Sequence, residues 1–210
     1  MLCSEIRAAL DGAIAEGEIV GAVAVVTDAQ ETLSTVTAGY EDLEREIPMK
    51  EDALFCIASM TKPITGIAAM MMMEEGNLSL DDSLAKHLPA FLELKDSSGV
   101  AVTVTLRQCL SHTSGMSDLS LEEEDDCMRL SELVPLIVSK PVNFPPGTEW
   151  RYCQTSINMV GHVVEVLSGM DFPTFVSTRI FDPLGMKDTT FYPDASQIPR
   201  IASIYGRMEG

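Results

Sequence analysis

A serine and a lysine stand three residues apart, at Ser59 and Lys62. A serine hydroxyl is a weak nucleophile until a neighbouring base takes its proton. On a helix, side chains three positions apart lie on one face and can touch. Because loss of solvation disfavours the charged form of a lysine, such a lysine can act as the base. The pair predicts a nucleophilic serine, although the S-x-x-K pattern alone equally fits a helix N-terminus with an exposed lysine.

Pro63 conflicts with a helix that carries both of these side chains. Proline disfavours helical backbone in the residue before it and clashes with the carbonyl group four residues earlier. Local rules therefore predict a helix that begins at Pro63, continues to Glu75 and is followed by Gly76 as its C-terminal glycine. Conflicts of this kind cluster at functional sites.

The segment around Ser59, LFCIASMTKPIT at residues 54–65, resembles the nucleophile segment of class C β-lactamases and the esterases related to them. Further matches to that family follow in the same order along residues 20–192. They are Gly39-Tyr40 with Pro48-Met49, EGNLSLDD at 75–82, HTSG at 112–115, PGTEWRY at 146–152 and PLGMKDT at 183–189. Because these segments occur in the order that the family has, the chain resembles the serine β-lactamase and penicillin-binding-protein family.

The resemblance implies further roles near the serine. Tyr152 matches the tyrosine of the family's Y-x-N motif, a general acid or base that faces the serine and lysine, and the charge of Lys62 is expected to lower its phenol pKa. Gln154 stands where class C β-lactamases have the asparagine that helps to hold the lactam side chain. The catalytic residues expected are therefore Ser59, Lys62 and Tyr152, with Gln154 as a substrate-binding residue that favours an esterase.

A third family motif, K-T-G or H-x-G, is absent from the sequence. In the family it lies on a strand beside the nucleophile and supplies one N–H of the oxyanion hole, while the serine supplies the other. We expect residues 1–210 to be an incomplete β-lactamase-related domain that lacks the family's later strands and last helix. A sheet edge left unpaired in this way predicts self-association.

The function predicted is hydrolysis of small esters or amides through an acyl-enzyme, with esters favoured. β-Lactamase or D-Ala-D-Ala carboxypeptidase activity is the alternative within the family. A non-catalytic remnant that binds a ligand or partner is the alternative from another class. The expected partner is a small ester, amide or β-lactam, and no cofactor or metal is implied.

Composition excludes other classes of protein. The 210 residues carry a net charge of −18, and the sequence has no basic patch of the kind that nucleic-acid binders use. The N-terminal residues lack the pattern of a signal peptide, and no apolar run reaches the roughly 18 residues of a membrane span. Five cysteines without a CxxC pair suggest reduced thiols and a cytoplasmic location.

The elements that must position these residues follow from hydrophobic spacing. Helices are predicted at residues 4–16, 63–75, 105–110, 156–168 and 173–180, a β-hairpin at 19–27 and 32–40, and loops at 41–53 and 117–128. A hairpin followed mostly by helices predicts an α+β fold. The resemblance specifies it as β-lactamase/transpeptidase-like, an antiparallel sheet flanked by helices with a helical lobe and truncated at the C-terminus.

Overall fold

The computed structural model describes residues 2–206. The described residues form two compact units, one made of the residues up to 57 and those from 190 onward, and the other of residues 58–189. Met1 and residues 207–210, which the predicted domain includes, lie outside the described part. The first unit holds the sheet, and the second is helical.

The first unit contains the predicted hairpin, formed by β1 (Gly21–Thr27) and β2 (Thr32–Asp42). The strands are antiparallel, and Gly21 pairs with Gly39. A Cβ atom on either glycine would meet the backbone of the facing strand, so the close pairing requires glycine there. In the turn, Asp28 Oδ1 accepts hydrogen bonds from two backbone N–H groups at 2.8 Å each, which closes the loop between the strands. The hairpin prediction is confirmed.

The predicted loop at 41–53 is wrong in part. β2 continues to Asp42, and β3 (Ile47–Pro48) pairs back onto it, with Tyr40 opposite Pro48. The sheet order is β1-β2-β3, so Pro48 lies at an edge, where its missing N–H leaves no neighbouring strand unpaired. Within residues 2–206, β1 pairs only with β2.

Helix α1 (Leu2–Ala15) packs against β2 in the same unit. The side chains of β2 alternate in burial, and Val36 and Ala38 lie in the core. The later chain returns to this unit, where Leu54 and Ile201 form a parallel bridge. The bridge ties the two sequence segments of the unit together through hydrogen bonds of 2.7 and 2.9 Å on either side of Leu54.

The second unit is built around a helix at Gln154–Ser168, α7, whose inner face is fully buried at Val160, Val163 and Val164. Its helices are α2 (Thr61–Glu74), α3 (Leu84–His87), α4 (Leu106–Leu110), α5 (Leu121–Glu124), α6 (Leu130–Val138), α7 (Gln154–Ser168) and α8 (Phe172–Val176). Short 3₁₀ turns cover Ala58–Met60 and Pro89–Glu93, and a π-helical turn covers Ser177–Phe181. A third 3₁₀ turn, Ile198–Arg200, belongs to the first unit. None of the helices described is long and apolar enough to cross a bilayer.

Several helix boundaries follow the local signals. Thr105 caps α4 by accepting the Gln108 N–H at 3.2 Å, as predicted. Gly76 and Gly169 end α2 and α7 in the left-handed conformation that glycine adopts without penalty.

The start of α2 does not follow the local rule. The helix begins at Thr61 rather than Pro63, after the 3₁₀ turn Ala58–Met60. Pro63 is the third residue of α2. Because the N–H groups in the first turn of a helix have no partner inside the helix, a proline at this position removes no helical hydrogen bond.

Two other expectations for this unit are incomplete. Part of the predicted loop at 117–128 is helical, because Ser120 and Glu123 form a reciprocal capping box around α5. No helix is predicted for α6, which contains Pro135, yet its Leu133 and Ile137 are buried in the core.

Candidate active site

Ser59 lies in the 3₁₀ turn immediately before α2, with its side chain exposed. The preceding residue, Ala58, has a φ of 43°, in the left-handed region that residues other than glycine rarely occupy. Lys62 is the second residue of α2, and its Nζ donates a hydrogen bond of 3.0 Å to Ser59 Oγ. The turn and the first helical residues therefore place the two side chains in contact, as their spacing predicts.

Tyr152 reaches the same oxygen from a different part of the unit. It stands two residues before α7, and its hydroxyl donates to Ser59 Oγ at 2.7 Å. Lys62 Nζ lies 4.6 Å from the centre of the Tyr152 ring. Hydrogen bonding with Lys62, and then with Ser59, lowers the pKa of the Tyr152 phenol from its usual value. A phenol of lowered pKa in contact with a serine hydroxyl is arranged to exchange a proton with it.

Gln154, the first residue of α7, contacts Lys62 through its side chain. Its Oε1 accepts a hydrogen bond from Lys62 Nζ, and its Nε2 donates to Asn158 Oδ1 at 2.8 Å. Because an ammonium group has no acceptor, the contact with Lys62 defines which end of the amide is the oxygen. All four residues selected from the sequence thus lie together in one unit.

His112 also belongs to this cluster, although the sequence analysis did not place it among the site residues. Its ring stacks on the Tyr152 ring, with centroids 4.7 Å apart and planes inclined by 29°. Burial, and then the charge of Lys62, lowers the pKa of His112, which favours the neutral imidazole. Its place in the HTSG segment was the available sequence signal, but that segment lies about forty residues from Tyr152.

Asn158 is the second residue that the sequence analysis missed. It stands four positions after Gln154 on α7, a spacing that brings side chains together on a helix. The predicted helix begins at residue 156, whereas α7 begins at Gln154, so the helical spacing of Gln154 and Asn158 is evident only in the structure.

Cys109 and Cys153 are buried and lack the accessible thiolate of a nucleophilic cysteine. Burial raises the pKa of the Cys109 thiol and raises that of Cys153 to about 11, so both are held in the protonated form. Cys109 is fully buried, so although it stands three residues from His112 it offers no accessible thiolate. Within residues 2–206, no group of three or more His, Cys, Asp or Glu side chains is placed to hold a metal ion.

Comparison with known proteins assigns the chain to a family. The sequence model of the family described as Beta-lactamase matches residues 6–210. Esterase EstB of Burkholderia gladioli is 33% identical over 204 residues, which cover 90% of this chain and 52% of the relative.

Solved structures give the same result. EstCE1, described as a hydrolase with promiscuous acyltransferase activity, superposes with a TM-score of 0.89 at 27% identity, covering 99% of this chain and 57% of that one. A class C β-lactamase from Rhodobacter sphaeroides superposes with a TM-score of 0.75 at 28% identity, covering 93% and 53% respectively. The predicted α+β, β-lactamase/transpeptidase-like fold is confirmed.

The chain spans about half the length of the esterase it matches. The match to the family's sequence model nevertheless runs through nearly all of the 210 residues, and the structural superpositions cover both units. The chain therefore belongs to the Beta-lactamase family of serine hydrolases.

Proposed function

We propose that the protein hydrolyses small carboxylic esters through an acyl-enzyme formed on Ser59. The observation that carries the proposal is the convergence of a phenol and an ammonium group on one oxygen: Tyr152 Oη lies 2.7 Å and Lys62 Nζ 3.0 Å from Ser59 Oγ. An exposed hydroxyl with two such neighbours can lose its proton as it attacks a carbonyl carbon.

Proton movement follows from the hydrogen bonds. When Tyr152 is a phenolate, the 2.7 Å bond reverses, and Ser59 donates to the phenolate oxygen. Attack by Ser59 Oγ on the ester carbon forms the new C–O bond while the serine proton passes to Tyr152. Tyr152 then returns this proton to the alkoxy oxygen of the ester as the bond between that oxygen and the acyl carbon breaks, so the alcohol leaves and the acyl group stays on Ser59. Water gives a proton to the same phenolate and attacks the acyl carbon. The bond between the acyl carbon and Ser59 Oγ then breaks, the acid leaves, and Tyr152 returns the proton to Ser59.

The lysine has a supporting role in this scheme. Its ammonium group lies beside both the serine oxygen and the tyrosine ring, so it stabilises negative charge on either one. Gln154 keeps it in place by accepting one of its hydrogen bonds.

The same glutamine supports esters over β-lactams. Its carbonyl oxygen is engaged by Lys62, and its amide nitrogen is engaged by Asn158 at 2.8 Å. A residue that holds the amide side chain of a β-lactam must turn at least one of these groups toward the substrate. EstB, named an esterase, and EstCE1, named a hydrolase, are consistent with the preference for esters.

The decisive experiment is labelling with a fluorophosphonate, followed by mass-spectrometric mapping of the modified residue. We expect the label on Ser59 and its loss in Ser59→Ala. Ser131→Ala, at an exposed serine on α6, is the matched control and should label like the unchanged protein. Labelling that persists in Ser59→Ala, or a complete absence of labelling in the unchanged protein, contradicts the proposal.

A further inference from the structure

The exposed ring of Tyr152 requires a neighbouring group that restrains its rotation. Its side chain is 44% exposed, and the hydrogen bond to Ser59 restrains only the hydroxyl end. An exposed tyrosine turns freely about its side-chain bonds unless neighbouring groups prevent it. A small rotation would carry the phenol oxygen away from Ser59, and a displacement of about 1 Å at a reacting group can lower a rate by about 10²-fold.

His112 contacts Tyr152 and both residues that flank it. The His112 carbonyl oxygen accepts the Arg151 N–H at 2.9 Å, and its Nδ1 accepts the Cys153 N–H at 3.2 Å. Between these two contacts, the imidazole lies against the Tyr152 ring at 4.7 Å. The backbone before the tyrosine, the backbone after it and the ring itself are therefore all held by one residue.

The backbone of His112 is specialised for these contacts. Its φ is 57°, a left-handed conformation that is uncommon for residues other than glycine and in which His, Asn and Asp are enriched. The histidine ring also meets Trp150 edge-on, with centroids 6.2 Å apart.

We propose that His112 is a positioning residue whose imidazole ring, stacked on the Tyr152 ring, holds the Tyr152 phenol against Ser59. Nδ1 must be an acceptor for the Cys153 N–H, so the ring proton of the neutral form is on Nε2. If Nδ1 were protonated, its N–H and the Cys153 N–H would both be donors, and the hydrogen bond between these two nitrogens would be lost.

The charged groups near His112 shift its pKa in opposite directions. Lys62 disfavours the imidazolium, whereas Asp118 favours it. Burial acts with Lys62, and together they hold the pKa of His112 below its usual value.

Two substitutions separate the contacts. His112→Asn retains an acceptor at the Nδ1 position and a residue that tolerates the left-handed backbone, but it removes the ring. His112→Phe retains the ring and removes the acceptor. His162→Asn, at a histidine on α7 that pairs with Glu165, is the matched control.

The measurement is the titration of Tyr152 by NMR in protein labelled with ¹³C at the tyrosine Cζ atoms. The chain has four tyrosines, so the Tyr152 signal is assigned as the one missing from Tyr152→Phe. In the unchanged protein and in His162→Asn, we expect Tyr152 to titrate below its usual pKa. In His112→Asn, the pKa should rise toward the ordinary tyrosine value, because a freed phenol loses its contacts with Lys62 and Ser59. In His112→Phe, the pKa should stay lowered.

An unchanged Tyr152 titration in folded His112→Asn overturns the proposal. If His112→Asn does not fold, the test rests on His112→Phe. A Tyr152 pKa at the ordinary tyrosine value in folded His112→Phe also overturns the proposal.

The inference rests on the proposed role of Tyr152, but the titration does not depend on activity. Fluorophosphonate labelling of the same variants separates the two proposals. We expect the labelling rate of His112→Asn to fall by about 10²-fold, together with its shifted titration. Loss of labelling in the unchanged protein, with the Tyr152 shift retained, would reject the proposed function alone.

Discussion

The two groups that contact Ser59 Oγ should act as one unit, and a double-mutant cycle measures this directly. Lys62→Ala removes the 3.0 Å contact, and Tyr152→Phe removes the 2.7 Å contact. Loss of a general acid or base typically lowers a rate by about 10²–10⁴-fold. Taking the lower figure, each single substitution raises the acylation barrier by about 2.7 kcal/mol.

If the two groups were independent, the double variant would lose about 5.4 kcal/mol, or about 10⁴-fold. The structure indicates otherwise, because Lys62 lies 4.6 Å from the Tyr152 ring and lowers the pKa of its phenol. Once Lys62 is removed, the pKa of Tyr152 rises and less of it is in the phenolate form, so its own removal has less effect. We therefore expect the double variant to be slowed by only about 10²–10³-fold.

The assay is the second-order rate constant of fluorophosphonate labelling at Ser59, with thermal unfolding to show that each variant is folded. Lys95→Ala, at an exposed lysine, and Tyr192→Phe, at a tyrosine 74% exposed, are the matched controls. Strictly multiplicative losses would refute the reasoning that the two groups share one task. Full activity in Tyr152→Phe would transfer the base role to Lys62 alone.

Three further outcomes are expected. Short-chain p-nitrophenyl esters should be hydrolysed faster than a chromogenic cephalosporin, and Gln154→Asn should narrow the difference; the reverse ranking would favour a β-lactamase. The labelling rate should rise with pH through the lowered pKa of Tyr152, since the phenolate is the active form, and a profile that is unchanged in Tyr152→Phe contradicts this. An aromatic disulfide reagent should react rapidly with the exposed thiols of Cys3 and Cys56 in the folded protein, and with the buried thiols of Cys109 and Cys153 only after denaturation. Fast reaction of Cys109 or Cys153 in the folded protein would contradict the burial described.

Features governed by neighbouring residues were predictable from the sequence. The hairpin turn depends on Asp28 and the backbone groups that follow it, and the start of α4 depends on Thr105 and Gln108. The contact between Ser59 and Lys62 is also local, because the 3₁₀ turn and the first two residues of α2 determine it. In each case the interacting groups lie within a few positions of one another, so local rules describe them.

Features governed by distant contacts were not predictable in the same way. His112 reaches Tyr152 across about forty residues, and no periodic pattern reports such a pair. β3 is two residues long, and its pairing with β2 depends on how the intervening loop closes. The Gln154–Asn158 pair is local, but the predicted helix begins at residue 156, two residues after the observed start of α7, and so does not include Gln154.

The nucleophile segment has a consequence for the stability of the protein. Ala58 occupies a left-handed backbone conformation, which costs about 1–3 kcal/mol in a residue other than glycine. Lys62 places a cation at the positive end of the α2 dipole, which opposes the helix by about 0.3–1 kcal/mol. Substitutions such as Lys62→Glu would therefore relieve the helix while abolishing the chemistry proposed for Ser59. Selection for thermal stability alone would discard this segment first, so efforts to stabilise the protein should keep residues 58–63 unchanged.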